Sequence, residues 1–180
     1  MTSPDMTSPD ITSPELRGPR VTLHPIGATD RRRLREILAE PEVARWFGMD
    51  GPDASVDELY EHEPGSSFVI EVGGATVGWI GYAEEHDPDY RHAGIDLFLT
   101  TSFHGRGFGP EALRLVVAHL VHDRGHHRLT IDPAAANERA IAAYRKAGFR
   151  PVGVMRQYER GPDGTWHDGL LMDLLPDELV

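Results

Sequence analysis

The chain has 180 residues, of which 39% are hydrophobic and 26% charged, a balance typical of a folded globular domain rather than of a disordered or collagen-like chain. The absence of cysteine excludes disulfides, a cysteine nucleophile and thiolate metal sites. The net charge of -11 disfavours nucleic acid and anionic membranes as partners, and no apolar run reaches the ~20 residues of a membrane span, so we expect a cytoplasmic protein.

The chain opens with a five-residue repeat, Thr-Ser-Pro followed by an acid, in three copies. Such a polar, proline-rich segment cannot offset the entropy of ordering its backbone, so we expect residues 1–19 to form a flexible tail. Alternating residues then predict a strand over 21–24. A capped helix over about 30–39 follows, with shorter helical pieces over 41–47 and 55–62.

The middle of the chain predicts a hairpin and one further strand. The apolar runs 68–72 and 76–82 are joined by Gly73-Gly74, which is typical of a tight β-turn. An acidic loop is expected over 84–91, and the next strand covers about 93–100.

The second half of the chain alternates helices and strands. Its predicted elements are a helix over about 110–124, a strand over 128–132, a helix over 138–147 capped by Asn137, and two strands over 152–158 and 170–175 joined by a turn at 161–164. This order predicts one α/β (α+β) domain over residues 20–180, with a mixed, mostly antiparallel sheet and helices on its faces.

A glycine-rich loop, residues 103–110, lies between a predicted strand and a helix N-terminus. Its alternating glycines let several backbone N–H groups converge, and the helix dipole favours a negative charge there, so the loop is a candidate anion site with Arg106 as a side-chain donor. Pro110-Glu111 replaces the Lys-Ser/Thr of a nucleoside triphosphate loop, and Pro110 also replaces the third glycine of the dinucleotide fingerprint. The alternative interpretation is a tight connection without a ligand.

Two blocks resemble the GCN5-related N-acetyltransferase (GNAT) superfamily. The loop at 104–109 is similar to its Q/R-x-x-G-x-G/A motif, with His104 where the family has Gln or Arg, and 137–149 is similar to its Asn-x-x-Ala-x-x-x-Tyr-x-x-x-Gly-Phe block. The resemblance implies splayed central strands, acetyl-CoA as cofactor and acetyl transfer to an amine. The cofactor-binding residues it implies are Leu97, Phe98, Leu99, His104, Gly105, Arg106, Gly107, Phe108, Gly109, Pro110, Asn137, Ala140, Tyr144 and Lys146.

Shorter motifs resemble the aminoglycoside 6'-N-acetyltransferase branch: an acidic run that begins at Glu84-Glu85, then Gly94-Ile95-Asp96 and Ile131-Asp132-Pro133. This resemblance implies that Asp96 and Asp132 meet the cationic amine, with Asp96 accepting its proton or positioning it. The superfamily places a general acid at Tyr144. The implied catalytic residues are Asp96, Asp132 and Tyr144, and the implied acceptor-binding residues are Asp96, Asp132, Glu84 and Glu85.

Charge bears on the choice of acceptor, because residues 50–96 contain twelve acids and one base while the rest of the chain is balanced. This segment is either a solvated acidic face or an electrostatic funnel for a polycation, and the second interpretation favours an aminoglycoside over a peptide. The N-terminal third and 164–170 are closer to RimJ/RimL-type enzymes, which acetylate protein N-termini. A coenzyme-A-binding regulatory domain without turnover is a third alternative.

The histidines at 119, 122, 126 and 127 lack the ligand set and spacing of a zinc site, so we predict no metal. The sequence leaves open whether the chain is a monomer or a homodimer.

Overall fold

A computed structural model describes residues 14–47 and 50–178 of the chain. The predicted flexible tail, residues 1–19, lies mostly outside the described residues. The described end of this tail contains strand β1 (Leu16–Arg17), which pairs with β2 (Thr22–Pro25). Regular structure therefore begins earlier than the predicted first strand.

The described residues form five α-helices and eight strands. The helices are α1 (Arg31–Leu38), α2 (Pro41–Ala44), α3 (Pro52–Leu59), α4 (Phe108–Ala118) and α5 (Glu138–Lys146). After β1 and β2 the strands are β3 (Ser67–Val72), β4 (Ala75–Glu85), β5 (His92–Leu99), β6 (Leu129–Ile131), β7 (Arg150–Arg160) and β8 (Trp166–Leu174). None of these helices combines the length and the apolar character needed to cross a membrane.

One sheet joins all eight strands in the order β1-β2-β3-β4-β5-β6-β8-β7. Neighbours are antiparallel except β5 and β6, which run parallel and pair only at Ala93 with Leu129 and at Gly94 with Thr130. Beyond these two positions the strands separate. The predicted mixed, mostly antiparallel sheet with splayed central strands is confirmed.

Helices cover both faces of the sheet because each strand alternates its side chains between two cores. On β3, Phe68 and Ile70 join the core under α4, whereas Val69 between them joins the core under α1 and α3. The apolar spacing of α4 places Val116 and Val117 in the first of these cores.

Capping signals set the helix that follows β6. The Asn137 Oδ1 atom accepts a hydrogen bond of 3.1 Å from the Ala140 backbone N–H, which fixes the first turn of α5 as predicted. At the other end, Gly148 adopts a φ of 107°, a left-handed conformation that ends the helix. Helix α4 begins at Phe108, two residues before the predicted Pro110, and continues through a π-helical turn over His119–Asp123.

Candidate active site

The separation of β5 from β6 opens a gap at the centre of the sheet. Asp96 and Asp132 each lie two residues beyond the last paired positions, Gly94 and Thr130. Because side chains on one face of a strand recur every two residues, both carboxylates emerge at the same level of the gap. The pairing of β5 with β6 at these two positions therefore brings together Asp96 and Asp132, which are 36 positions apart in the sequence.

The gap widens into a cavity of about 360 Å³. Its walls come from the second half of β5, the glycine loop and helix α5. The predicted site residues that line it are Asp96, Leu97, Phe98, Leu99, His104, Gly105, Gly107, Gly109, Pro110, Asp132, Asn137, Ala140, Tyr144 and Lys146.

The glycine loop offers backbone N–H groups to this cavity. Gly105 and Gly107 adopt φ values of 71° and 84°, which L side chains rarely adopt, and a Cβ atom at Gly105 would meet open space. Gly107 is the N-cap of α4, so the positive end of the helix dipole faces the same place. The loop therefore has the geometry and the charge to hold a diphosphate.

Titratable groups in the wall of the cavity influence one another's pKa. Partial burial, Asp132 and Glu159 raise the pKa of Asp96 to about 6, although its carboxylate remains open to the cavity. Burial and the two aspartates also raise the pKa of Tyr144 far above that of a free phenol. At neutral pH, Asp96 is therefore mostly ionised and able to accept a proton, and Tyr144 is protonated and able to donate one.

A family profile described as "Acetyltransferase (GNAT) domain" matches residues 20–150, which include the loop and both aspartates. The chain belongs to the GNAT acetyltransferase family. It is an acetyl-CoA-dependent N-acetyltransferase, as predicted, and the cavity with its glycine loop fits the coenzyme.

This GNAT acetyltransferase is similar to an aminoglycoside acetyltransferase and to RimJ. It is 27% identical over 164 residues to the aminoglycoside N(6')-acetyltransferase type 1 of Klebsiella pneumoniae, covering 80% of this chain and 79% of the relative. The structure of AAC(6')-Ib in complex with ribostamycin and coenzyme A matches with a TM-score of 0.72 and 26% identity, over 88% of this chain and 95% of that one. Mycobacterium smegmatis RimJ in complex with CoA-disulfide matches with a TM-score of 0.78 and 26% identity, over 92% and 88% of the two chains.

An ion pair between Arg20 and Glu111, which was not anticipated from the sequence, connects the segment before β2 to the glycine loop. Glu111, in the first turn of α4, accepts hydrogen bonds from the backbone N–H groups of Arg20 (2.7 Å) and Val21 (3.0 Å) and from the Arg20 Nε atom (2.9 Å). The Arg20 Nη1 atom also donates to the Arg106 carbonyl at 3.2 Å. The segment before β2 is thereby fastened to the glycine loop.

The structure shows where three side chains of the predicted loop lie. The Arg106 guanidinium is exposed and lies over the rings of Phe103 and Phe108, at 5.1 and 5.2 Å, and is not part of the cavity wall. Phe108 packs into the core instead. The His104 Nε2 atom donates to the Leu99 carbonyl at 2.8 Å, so the imidazole braces the end of β5.

Glu84 and Glu85 do not line the cavity in the described structure. The predicted acidic loop begins later than expected, since β4 extends through Glu85. The Glu84 side chain is only 5% exposed and binds Arg124 and His126, each at 2.5 Å. Burial disfavours its charge, but the hydrogen bonds from these two bases hold the pKa of Glu84 below its usual range. Glu84 therefore stabilises the fold rather than contacting an acceptor.

Most of the acidic segment lies outside the walls of the cavity. Several of its acids pair with bases from other elements, among them Asp53 with Arg35 and Asp57 with Arg31. Of the twelve acids in residues 50–96, Asp96 alone lines the cavity between β5 and β6 or the one that adjoins it. The segment is mainly a paired and solvated face.

A second cavity, of about 920 Å³, adjoins the first and was not anticipated from the sequence. The two share Trp46, Phe47, Ala134 and Glu159 in their walls. The adjacent aromatic residues after α2 could have been noticed as a signal, because large apolar side chains in a short connecting segment often line binding sites. No signal in the sequence of β7 marks Glu159 as a site residue, because its place in the cavity walls depends on how the strands pair.

Proposed function

We propose that this GNAT acetyltransferase acetylates a primary amine of a small polycationic acceptor, an aminoglycoside modified at its 6'-amino group. The Klebsiella pneumoniae relative and the AAC(6')-Ib structure carry the corresponding names. The observation on which the proposal rests is a set of three acids in the cavity walls, described next.

Asp96, Asp132 and Glu159 line one cavity, and no arginine or lysine among the described residues forms an ion pair with any of them. The same wall also contains Lys146 and Glu42, the latter paired with Arg139 at 4.0 Å. The three acids differ from Asp53 and Glu84, whose charges are matched by arginines. Neighbouring carboxylates without counterions repel one another, so a ligand with several ammonium groups would relieve that repulsion. A polycationic amine is the acceptor class with the charge to do so.

The proposed mechanism includes proton transfer at the acceptor nitrogen and at the departing sulfur. When bound, acetyl-CoA supplies the thioester whose acetyl group is transferred. The Asp96 carboxylate accepts a proton from the acceptor ammonium, directly or through water, and the neutral nitrogen forms the new N–C bond as the C–S bond breaks. The Tyr144 hydroxyl donates its proton to the departing sulfur, and the second proton that the nitrogen releases as the amide forms returns to the Tyr144 oxygen, directly or through water. Asp132 holds the cationic acceptor beside both groups, and the walls keep the reactants aligned.

Acetylation of a protein N-terminus is the second candidate. The similarity to RimJ favours it, and so does the mixed charge of the outer cavity. Its wall contains Arg45 and Arg160 as well as Asp163 and Asp168, a pattern that suits a peptide with both acidic and basic groups. The two candidates differ in the acceptor but share the reacting groups.

An acceptor panel distinguishes the candidates. Purified protein with acetyl-CoA is given a kanamycin-type aminoglycoside with a 6'-amino group, a related aminoglycoside with a 6'-hydroxyl, spermidine, and short peptides with a free N-terminus, and release of free thiol is followed. We expect the 6'-amino compound to give the highest kcat/KM and the 6'-hydroxyl compound to be acetylated poorly. Turnover confined to the peptides would refute the aminoglycoside proposal in favour of the second candidate.

Substitutions in the same assay test the acidic cavity. Asp132→Asn is expected to raise KM for the 6'-amino acceptor about tenfold or more, because a charge-assisted contact with the ammonium is lost. Asp89→Asn, in the exposed loop between β4 and β5, removes the same charge away from the cavity and is expected to change neither KM nor kcat. Equal effects of the two substitutions would mean that only overall charge matters.

A further inference from the structure

Helix α2 is a single turn of four residues that leads into a wall shared by the two cavities. Trp46 and Phe47, just after this turn, line both cavities, and their backbone N–H groups donate to the Val43 carbonyl at 3.0 and 2.9 Å. A helix this short gains little stability from its own hydrogen bonds. Contacts with the rest of the protein must therefore fix the position of this wall.

Glu40 is the N-cap of α2, yet its side chain does not cap the helix. The Glu40 carbonyl accepts hydrogen bonds from the N–H groups of Val43 and Ala44, at 2.9 and 2.8 Å, and so begins the turn. Glutamate is not among the residue types favoured at an N-cap, where a short polar side chain bonds the first turn. The Glu40 carboxylate instead reaches the end of β5.

At the end of β5 the Glu40 carboxylate accepts three hydrogen bonds from two consecutive threonines. Its Oε1 atom accepts from the Thr100 hydroxyl at 2.5 Å, and its Oε2 atom accepts from the Thr101 backbone N–H and hydroxyl, each at 2.7 Å. Burial disfavours the charge of Glu40, but these hydrogen bonds outweigh that effect and hold its pKa below the usual range. Hydrogen bonds to an ionised carboxylate are stronger than those between neutral groups, so the contact is firm.

The two sides of this contact differ in how they are held. Thr100 is buried and directly follows β5, and its N–H donates to the Val77 carbonyl of β4 at 2.8 Å. The end of β5 therefore keeps its place through the sheet, with or without Glu40. The α2 segment is attached to β5 by Glu40 at its start and, at its end, by the Phe47 ring, which lies edge-on to Phe98 with 5.0 Å between the ring centroids.

We propose that Glu40 is a positioning residue: by holding the start of α2 against the end of β5, its carboxylate fixes Trp46 and Phe47 in the wall that the two cavities share. The inference rests on the proposed function in one respect, that the acceptor amine binds against this wall. A wall that is fixed before binding reduces the entropy lost when the acceptor binds. Because the sheet holds the other side of the contact, loss of Glu40 loosens the acceptor wall more than the glycine loop.

Amide hydrogen exchange of Glu40→Gln tests this contact without any acceptor. Glutamine keeps the size of the side chain but replaces one oxygen with an NH₂ group, which cannot accept a hydrogen bond. We expect the amides of residues 43–47 to exchange about tenfold faster, and those of the glycine loop, 104–109, to change by less than about twofold. Glu36→Gln is the matched control at an exposed position of α1, and it is expected to change neither segment.

Steady-state kinetics test the effect on the acceptor. With kanamycin, we expect Glu40→Gln to raise KM about five- to tenfold, while kcat and the Kd for coenzyme A change by less than about twofold. Thr101→Val removes one of the three donors and should raise KM about threefold, whereas Thr101→Ser keeps the hydroxyl and should retain the wild-type KM. Glu36→Gln should leave all three values unchanged, and thermal unfolding is measured for every variant.

The outcomes separate the inference from the proposed function. If exchange over 43–47 stays at the wild-type rate in Glu40→Gln, or rises without a rise in KM, the inference is wrong and the proposed function stands. If kanamycin is not acetylated, the proposed function fails, and the same rise in KM is then expected with the peptide acceptor. If kcat, coenzyme affinity and the unfolding temperature all fall together with acceptor affinity, Glu40 serves the fold in general and the inference is refuted.

Discussion

Asp96→Asn is expected to lower activity while it raises the stability of the protein at neutral pH. The pKa of Asp96 is about 6 in the folded protein, compared with about 3.9 for an aspartate in an unfolded chain. The folded state therefore holds the proton more tightly, and the stability of the wild type falls as the pH rises from about 4 to about 6. Above that range the ionised Asp96 carboxylate destabilises the folded state by its full amount, and the substitution by asparagine removes this destabilisation.

The size of the gain follows from the difference between these pKa values. Taken in full, it corresponds to about 3 kcal/mol of unfolding free energy. The Asp96 carboxylate is open to the cavity, where solvent screens its charge, so we expect a gain nearer about 1 kcal/mol at pH ~7.5. The gain should shrink at pH ~5, because wild-type Asp96 is then largely protonated in the folded state.

Two measurements test this reasoning. Urea unfolding of both proteins at the two pH values gives the stability difference. The pH dependence of kcat/KM with saturating acetyl-CoA should show an acid limb near pH ~6 in the wild type, and Asp96→Asn should have lower activity without that limb. A variant less stable than the wild type at neutral pH, or a wild-type rate that stays constant from about pH 5 to 7, would refute the assigned ionisation.

Three further predictions concern other groups around the site. Tyr144→Phe should lower kcat about tenfold to a hundredfold, because it removes the proton donor to the leaving sulfur, and should change the coenzyme affinity measured by calorimetry only a little. A loss of coenzyme affinity with little change in kcat would contradict that role. Arg20→Ala removes the side chain that joins Glu111 to the Arg106 carbonyl of the glycine loop, so it should raise the Kd for coenzyme A about tenfold. Turnover of S-acetyl-pantetheine, which lacks the diphosphate, should stay nearly unchanged, and equal losses with both substrates would contradict this role of Arg20. Glu84→Gln should cost about 2 kcal/mol in chemical unfolding because the buried His126 and the partly exposed Arg124 lose their partner. Glu85→Gln, at an exposed position, should cost less than about 0.5 kcal/mol, and equal costs would contradict the stabilising role of the buried Glu84.

The sequence predicted those features that depend on residues close together in the chain. The glycine pair between β3 and β4, the glycine loop before α4 and the Asn137 cap of α5 are local signals, and the structure has each of them where it was expected. The two motif blocks also predicted the family and the coenzyme, because the residues that form a backbone cradle must be contiguous. The pair formed by Asp96 and Asp132 was expected from motifs alone, and the register of β5 with β6 supplies its physical reason.

Pairing between distant segments decided the rest. Glu84 was predicted to bind the acceptor, but the bases that neutralise it lie 40 and 42 positions away, and their approach depends on how the connection after α4 meets β4. Arg20 and Glu111, 91 positions apart, are joined in the same way. Glu159 lines both cavities from β7, next to a shift in the register of β7 against β8, a strand that follows it in the chain. The sequence shows that a residue is charged but not which residue will pair with it, because ion pairs form between groups that are close in the folded structure.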